Sequence, residues 1–532
     1  MHCAPFCRII LLAVPLAAAS CASLKSRVAL RGPQSVAASL QAAHESWQAM
    51  PAGRRENDEQ RTEWRASLGG LLQSLQQHRA PRTWTGTQSI AGWSVTFAGD
   101  ASGLNSIPPS WCERIAPVEP LLPLAGIKGA RVSSEGAGLP VVMVQPRKQG
   151  APEKFVPLNG RHYPATFTAE FSGPRKVTLT FHHTRNVSSA RLRGAVRPLA
   201  SDLSEAIATA MHSKFYAKYS LRGLFRPQAD LDATSIYAPE PFDPRKIPVV
   251  LVHGIESAPH IWANVMNEMA ADPELRRRCQ VWYFLYPTGI SIQGAAARLR
   301  TALIEARDFY DPRHTSAALR RTVLVGHSMG GLLSKMQIMD SGEDLHRAFW
   351  TEPLEKLPLS GETRAVVGRT LHFQHVPFVR RAVFITTPHG GSSFTDYSIV
   401  RVVLNLIQPA KIVAGLAREM ASVARSVVNP ELHRFKTFGI RSHEGLSPQH
   451  PMLHALKRRP LHAPFDSIIA VFPPMSGSKP LEQSTDGVVP WSSAWLPGAD
   501  STSTITGFHT CIPYPELAEK LMPVLRRHAG AN

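Results

Sequence analysis

The sequence predicts an α/β protein whose C-terminal half forms a doubly wound, mostly parallel sheet, preceded by a smaller β-rich or α+β N-terminal domain. Two observations predict the sheet. From residue 247 onward, short apolar segments alternate with amphipathic segments of helical length, and such alternation produces parallel strands joined by right-handed crossovers. The apolar run at 248–252 is also continuous, as in a strand buried on both faces of a parallel sheet.

The first 20 residues have the pattern of a secretory signal peptide. A basic residue precedes an apolar run at 9–19 that is too short to span a membrane, and small residues then lead into Cys21. This arrangement resembles the bacterial lipobox, in which the cysteine is lipidated, although Ala18 stands where leucine is usual. We therefore expect an exported protein, anchored by lipid at Cys21 in the outer membrane or periplasm of a bacterial envelope. Plain secretion and a retained N-terminal helix are the alternatives.

The charge of the chain narrows the classes of partner. It has 59 Lys and Arg against 40 Asp and Glu, a formal net charge of +19. These basic residues are scattered, and neither a long basic block nor a zinc-finger spacing occurs, so we expect no nucleic-acid partner. Behind an export signal, the charge favours attraction to an anionic membrane surface. The content of 43% hydrophobic and 19% charged residues excludes a disordered chain.

The N-terminal half divides into two parts by its hydrophobic pattern. Residues 22–80 are polar, with helical spacing and few apolar anchors, which predicts a tether followed by one or two helices. Over 81–245 the pattern changes to period-two alternation, as at 93–97, and predicts the strands of a β-rich accessory domain. A helix is expected within this part over 201–221, with Asp202 as an N-cap candidate.

The C-terminal domain is predicted to span residues 246–530. Its expected strands are 248–252, 281–286, 322–325, 382–386 and 467–471. Its expected helices are 261–269, 294–308 and 330–339. A helical cap is predicted at about 394–455, because residues 398–429 are amphipathic and could shape an apolar pocket; residues 341–379 could add to its wall. A buried pair of core helices or a membrane-surface helix is the alternative for 398–429.

The segment 326–330, Gly-His-Ser-Met-Gly, lies between an apolar strand and a helix. A tight strand-to-helix turn of this kind exposes its serine, so Ser328 is the candidate nucleophile, and the flanking glycines avoid a clash around it. The backbone N–H groups of Met329, at the helix start, and of Ile255, after the strand at 248–252, are the candidate oxyanion donors. The sequence does not indicate which residues bind the rest of a substrate.

An acid and a general base must follow this nucleophile in the order Ser, acid, His. Asp486 and His509 each stand in a turn just beyond an apolar segment, where a rigid sheet can present them. His509 would take the proton from Ser328, and Asp486 would orient its imidazole. Glu482 and Asp466 are the alternative acids. His253 and His327 are expected to pack or form hydrogen bonds beside the site, and His389 either contacts substrate or is a structural turn residue. His528 lies at the end of the terminal helix and is not expected to be the base.

Together the segments V-L-V-H-G-I, Y-P-T-G, G-H-S-M-G-G, T-P-H-G-G-S and S-T-D-G-V-V-P, with the late His509, resemble the serine esterase/lipase branch of the α/β-hydrolase superfamily. The resemblance covers about residues 245–530 and is greatest to GPI-inositol-deacylase-like and bacterial triacylglycerol-lipase-like members. It implies hydrolysis of carboxylic esters, with acyl lipids expected as substrates, through an acyl-serine intermediate and without a cofactor. The family commonly has Gly-His at the late motif, whereas Phe508 here separates Gly507 from His509.

Two alternatives to ester hydrolysis stay open at the level of sequence. An acyltransferase or an amidase could use the same triad, because only the pocket and its access to water separate these reactions. An alternative of another class is a non-catalytic envelope-binding lipoprotein, whose N-terminal domain would carry the function. The sequence does not indicate an oligomeric state.

Histidines and cysteines elsewhere in the chain predict neither a metal site nor a disulfide framework. The histidines that could suggest a metal fit no zinc spacing: His372, His375, His443, His450 and His454. We therefore expect no metal. With the signal peptide removed and Cys21 lipidated, the remaining cysteines are Cys112, Cys279 and Cys511, among which at most one disulfide can form.

Overall fold

The computed structural model describes residues 35–52, 57–81, 83–100, 102–118, 124, 126–148, 154–392, 427–435, 442–472 and 480–530. The predicted signal peptide, Cys21 and most of the predicted cap at 394–455 lie outside the described residues. None of the described helices is long and apolar enough to cross a membrane.

The N-terminal half combines a mixed sheet with helices on both sides of it in sequence. Its helices and strands are α1 (Val36–Ala49), α2 (Asp58–Gln77), β1 (Gly86–Ile90), β2 (Trp93–Ala98), β3 (Arg114–Pro117), β4 (Ser133–Ser134), β5 (Leu139–Gln145), β6 (Arg161–Gly173), β7 (Lys176–His183), β8 (Ser189–Leu192), β9 (Ala195–Pro198), β10 (Ser201–Asp202), α3 (Leu203–Ala210) and α4 (Ser213–Phe225). Six of these strands pair in the order β1-β2-β7-β6-β5-β3, and only β2 and β7 are parallel neighbours.

Helices α1 and α2 share one apolar core with this sheet. Trp64 and Leu72 of α2 lie in the same cluster as Val141 of β5 and Phe167 of β6, and all four are almost fully buried. Asn57 begins α2 with a capping box, in which its side chain accepts from the Gln60 N–H. Helices α1 and α2 therefore form part of the core of the N-terminal unit.

The C-terminal half alternates strands with helices. Its elements are β11 (Ser235–Tyr237), β12 (Ile247–Val252), α5 (Ala263–Ala271), α6 (Pro273–Arg278), β13 (Cys279–Leu285), α7 (Ile292–Tyr310), β14 (Thr322–His327), α8 (Met329–Lys335), α9 (Gly342–Arg347), α10 (Gly361–Leu371), β15 (Val379–Ile385), α11 (Ser442–Gly445), α12 (Pro451–Arg458), β16 (Phe465–Val471), α13 (Trp491–Ala494), β17 (Ser501–Thr506) and α14 (Pro515–Ala529). Short 3-10 helices within the described residues are Pro109–Trp111, Pro227–Ala233, Pro259–Trp262, Leu319–Arg321, Leu354–Lys356, Pro430–Arg434 and Leu481–Gln483.

Seven strands form the C-terminal sheet in the order β11-β13-β12-β14-β15-β16-β17, and only β11 is antiparallel to its neighbour. Each face carries its own apolar core. Side chains of β12 alternate between the two, with Val250 and Val252 in the core that includes α7 and α8, and Val249 and Leu251 in the core that includes α5 and α14. Helices on both faces make the sheet doubly wound, and its carboxyl edge is where site residues are expected.

Two predicted helices have different bounds in the structure. The helix predicted over 201–221 is interrupted after Ala210, because His212 caps α4 by accepting the Lys214 N–H at its Nδ1. The helix predicted over 330–339 ends at Lys335. Beyond it, the Gln337 carbonyl accepts from another segment, so the helical hydrogen-bond ladder stops.

Three cysteines lie within the described residues, and all three are free: Cys112, Cys279 and Cys511. Cys279 and Cys511 are buried in the core beneath the C-terminal sheet. Burial raises the pKa of each of these two thiols to about 12, which keeps them protonated at neutral pH.

Candidate active site

Ser328 occupies the turn between β14 and α8, at the carboxyl end of a buried parallel strand. Its backbone has φ 55° and ψ −126°, a conformation that costs a non-glycine residue about 1–3 kcal/mol. The Ser328 N–H donates to the Ile385 carbonyl of the neighbouring strand at 2.9 Å, which fixes the turn against the sheet. The strained turn thus directs the hydroxyl away from both adjoining elements.

Close backbone packing behind the turn requires glycine at position 330. A Cβ on Gly330 would lie 2.2 Å from the Val252 carbonyl oxygen and 2.5 Å from the His253 carbonyl oxygen. Both distances are far below van der Waals contact, so no other residue fits without moving β12 or α8. The turn that carries Ser328 is therefore packed directly against the end of β12.

His509, in the loop after β17, connects Ser328 to Asp486. Its Nε2 lies 2.8 Å from Ser328 Oγ, and its Nδ1 lies 2.6 Å from Asp486 Oδ2. Because a carboxylate can only accept, Nδ1 carries the hydrogen and Nε2 is left to accept the hydrogen of Ser328 Oγ. The three side chains form a continuous hydrogen-bonded chain in the order expected of nucleophile, base and orienting acid.

Asp486 is held rigidly by its own turn. Its Oδ1 accepts the N–H groups of Val488 at 2.9 Å and Val489 at 2.6 Å, and the residue is 1% exposed. Its backbone carbonyl also accepts the His509 N–H at 3.0 Å. Oδ2 therefore remains for the imidazole, and one side-chain and one backbone hydrogen bond join Asp486 to His509.

The two candidate oxyanion donors lie next to the nucleophile. Met329 is the first residue of α8, where backbone N–H groups have no partner within the helix. Ile255 follows Gly254, at which a Cβ would lie 2.9 Å from Ser328 Cβ, so this loop passes directly beside the serine. Within the described residues neither N–H donates a hydrogen bond, which leaves both available to a developing negative charge.

Two further histidines flank the site in structural positions. His327 donates from Nε2 to the His509 carbonyl oxygen at 2.9 Å, and burial lowers its pKa to about 3, so the ring stays neutral. His253 stacks on Tyr286 with ring centroids 4.5 Å apart, and burial lowers its pKa to about 3 as well. Neither ring contacts Ser328 Oγ, and both shape the surroundings of the base.

The alternative acids and the last histidine lie elsewhere. Asp466, in β16, forms ion pairs with Arg381 and with Arg527. Glu482 is exposed in the 3-10 helix Leu481–Gln483. His528, near the end of α14, bonds through Nε2 to the Arg321 carbonyl at 2.8 Å. The structure therefore places Asp486 and His509 beside Ser328, whereas Asp466, Glu482 and His528 have their contacts elsewhere.

A buried lysine near the site was missed from the sequence. Lys335, two turns along α8 from Ser328, is 1% exposed, and its ammonium has no hydrogen-bond partner among the described residues. Burial lowers the pKa of this lysine to about 7. His389 is fully buried, and neither of its ring nitrogens has a hydrogen-bond partner in the described part of the chain. Burial, followed by the charge of Lys335, lowers the pKa of His389 well below the usual value. An amphipathic helical pattern gave no signal of either environment.

The histidines that sequence could connect with a metal separate into different surroundings. His372 lies 3.1 Å from a ring nitrogen of His346, and His454 is exposed and bonds to a carbonyl. His375 instead lies beside Asp340 and His462, and these three are the residues in the described part of the chain that could hold a metal ion. His462 could not be connected with His375 from spacing, because the two segments meet only through the fold.

Comparison with known proteins finds partial structural overlaps. No family model and no curated protein match the chain. The mature lipase BlEst2 of Bacillus licheniformis is 18% identical, over 55% of this chain and 97% of that one, with a TM-score of 0.33. EstA of Clostridium botulinum is 12% identical over 59% and 97%, with a TM-score of 0.33. The Staphylococcus hyicus lipase is 14% identical over 54% and 97%, with a TM-score of 0.33. These TM-scores are too low to support an argument about function, which therefore depends on the geometry of Ser328, His509 and Asp486.

Proposed function

We propose that this protein is a serine hydrolase that cleaves carboxylic esters through an acyl-serine intermediate. The observation that carries the proposal is the hydrogen-bonded chain Ser328–His509–Asp486, with separations of 2.8 and 2.6 Å. A serine on a strained strand-to-helix turn, a base oriented by a buried carboxylate and free backbone donors beside the serine are together what acyl transfer needs. The turn and the chain order Ser, Asp, His also support membership of the α/β-hydrolase superfamily.

The geometry supports a two-step reaction. In the first step His509 Nε2 takes the proton of Ser328 Oγ while Oγ attacks the ester carbonyl carbon, and the N–H groups of Met329 and Ile255 bind the resulting oxyanion. Collapse of the intermediate breaks the bond to the alcohol, which leaves with the proton from His509, and an acyl-serine remains. Water then attacks that ester with His509 again as base, and the carboxylic acid leaves.

Acyl lipids are the substrate class we propose, in keeping with the resemblance to triacylglycerol-lipase-like and GPI-inositol-deacylase-like enzymes. Two features of the sequence support this choice: the amphipathic segment 398–429, which is rich in Val, Leu and Ile, and the export pattern that ends at Cys21. The net charge of +19 supports a place at an anionic envelope surface.

The nucleophile is tested with a fluorophosphonate probe and with p-nitrophenyl butyrate on the full chain. Ser328→Ala should lose both probe labelling and ester turnover while keeping its circular dichroism spectrum. Ser334→Ala is the matched control, because Ser334 is a buried serine of the same helix that bonds only to the Gly330 carbonyl. Turnover in Ser328→Ala equal to that of the control would refute the proposal. Product analysis with ester, amide and alcohol acceptors separates hydrolysis from acyl transfer.

Export and lipid anchoring are tested in cells. Metabolic labelling with a palmitate analogue should mark the wild-type chain in the envelope fraction and be absent from Cys21→Ser. Label that persists in Cys21→Ser would remove the lipid anchor from the proposal and leave the enzymatic part unchanged.

A further inference from the structure

A basic cavity lies between the N-terminal unit and the C-terminal sheet, at the edge of that sheet opposite Ser328. Its walls come from the loop after β7, the segment that enters β12 and helix α6. Since β12, β13 and β14 are parallel, residues just before β12 and β13 lie at the amino edge, whereas Ser328 follows β14 at the carboxyl edge. The cavity has a volume of about 730 Å³, which is within the range of small-ligand sites.

The lining of the basic cavity has more cations than carboxylates. Glu240 pairs with Arg185 at 2.5 Å, and Asp243 pairs with Arg245 at 2.9 Å. Glu274 alone pairs with two of the arginines of α6. Six cationic side chains therefore face three carboxylates, which leaves an excess of three positive charges; the six are Arg185, Arg245, Lys246, Arg276, Arg277 and Arg278.

Lys246 and Arg276 are the cations of this lining that form no ion pair with a carboxylate among the described residues. Lys246 is 7% exposed, and its Nζ donates one hydrogen bond, to Asn186 Oδ1 at 3.0 Å, although an ammonium carries three donors. Arg276 donates from Nη1 to the Ala270 carbonyl at 2.7 Å. Burial lowers the pKa of Arg276, and the charge of Arg185 lowers it further. Like charges held this close repel each other, and a bound anion offsets that repulsion.

The segments that carry these cations are held in place by hydrogen bonds of their own. Gln280 donates from Nε2 to the Asp243 carbonyl at 2.9 Å and to the Lys246 carbonyl at 2.7 Å, which fixes the segment before β12. Asp272 caps α6 through Oδ1 and pairs with Arg526 through Oδ2. This further carboxylate near α6 is therefore already used, and the cations need little rearrangement to bind a ligand.

We propose that the basic cavity binds a phosphate group, carried by a soluble phosphate ester or by the headgroup of an anionic phospholipid. A phosphate monoester carries up to two negative charges at neutral pH, so it matches the excess of positive charge better than a single carboxylate does. Guanidinium and ammonium groups are the side chains that recognise phosphate oxygens. The volume of about 730 Å³ leaves room for the group that carries the phosphate.

The position of the cavity separates it from the proposed ester hydrolysis. A ligand at the amino edge of the sheet does not contact an ester at Ser328, which lies at the carboxyl edge. The site therefore recognises a second ligand and does not depend on the assignment of the nucleophile.

The experiment uses the full chain and two kinds of probe. Inorganic phosphate and sn-glycerol 3-phosphate are titrated by calorimetry, and vesicles of phosphatidylglycerol or of phosphatidylcholine are tested by flotation. The wild-type chain should bind the soluble phosphates or the phosphatidylglycerol vesicles. Lys246→Gln and Arg277→Gln should each weaken that binding by about 10-fold or more. Arg277 is 62% exposed and Glu274 keeps Arg278 as a partner, so this second variant leaves the fold intact.

Lys176→Gln and Arg369→Gln are the matched controls, because each removes one positive charge from an exposed residue outside the cavity. They should change binding by no more than about twofold, since exposed charges far from a ligand are screened. Binding of the soluble phosphates assigns a soluble ester, and binding of phosphatidylglycerol vesicles alone assigns a lipid headgroup.

Two results would overturn the site. One is a wild-type chain that binds neither kind of probe. The other is an equal loss of binding in the controls and in the cavity variants, which would leave only a general attraction by net charge. Ser328→Ala should bind the probes like the wild type, so the phosphate site and the proposed hydrolysis fail independently.

Discussion

Lys335 makes the stability of this fold depend on pH in a direction that can be worked out from its position. The lysine is 1% exposed on α8, and no described residue bonds to its ammonium. Burial, followed by the nearby charge of Lys457, lowers its pKa from 10.5 to about 7. The perturbation is Lys335→Met, which keeps an unbranched side chain of similar volume and removes the titrating group.

The sign follows from the proton count in the two states. Between about pH 7 and 10.5 the unfolded chain holds a proton on this lysine that the folded chain has lost. The free energy of unfolding therefore rises with pH through that window. Below about pH 7 the folded chain holds the buried charge, and the destabilisation by that charge is present in full. The pKa values of the two states differ by about 3.5 units, and across the three pH units from 7 to 10 the free energy of unfolding changes by roughly 4 kcal/mol. Lys335→Met should be more stable than wild type at pH 7, and its advantage should shrink by about that amount towards pH 10.

The assay is equilibrium urea denaturation at several pH values from 7 to 10, for wild type, Lys335→Met and Lys520→Met. Lys520 is an exposed lysine of α14, so its replacement controls for the loss of one charge. The difference between wild type and Lys335→Met isolates this group from other residues that titrate at high pH. A difference in unfolding free energy that stays constant across the range would refute the conclusion that burial lowers the pKa of Lys335.

Two further predictions concern the acid Asp486 and the turn that carries Ser328. Asp486→Asn should lower the turnover of p-nitrophenyl butyrate by about 10⁴-fold with unchanged circular dichroism, because an amide at Oδ2 no longer fixes the hydrogen on His509 Nδ1; turnover within tenfold of wild type would contradict the assigned role. Gly330→Ala should destabilise the chain by about 1–3 kcal/mol in urea denaturation and abolish turnover, since its Cβ would lie 2.2 Å from the Val252 carbonyl oxygen. Gly361→Ala, where a Cβ meets no atom within 4 Å, is its control, and equal effects at both glycines would exclude the steric explanation.

The catalytic turn could be predicted from sequence because its determinants are local. An apolar strand, a serine between glycines and a following helix are contiguous in the chain, and the structure places Ser328 on such a turn. Asp486 and His509 could be proposed because each follows an apolar segment that forms a strand of the same parallel sheet or leads to its edge. Parallel strands bring their carboxyl ends together whatever the intervening sequence is.

Features created by contacts between distant segments could not be predicted. The polar pattern of residues 22–80 predicts a tether followed by one or two helices with few apolar anchors, yet Trp64 and Leu72 of α2 are buried. The surface that covers them comes from strands β5 and β6, much later in the chain. The cluster of Asp340, His375 and His462 likewise depends on the bridge between Met339 and Leu461, which no spacing of histidines reveals. The burial of Lys335 has the same origin, since its surroundings come from other elements.

The hydrogen bond from His327 to the His509 carbonyl has a consequence for the second half of the proposed reaction. Once Ser328 Oγ is acylated, it has no hydrogen to share, and the base loses its side-chain link to the nucleophile. The backbone of His509 is still held on both sides, by the His327 imidazole at 2.9 Å and by the Asp486 carbonyl at 3.0 Å. His327, the residue before Ser328, thus holds the His509 backbone in place while water replaces the alcohol. The proposed deacylation therefore begins from the same position of His509 as the acylation.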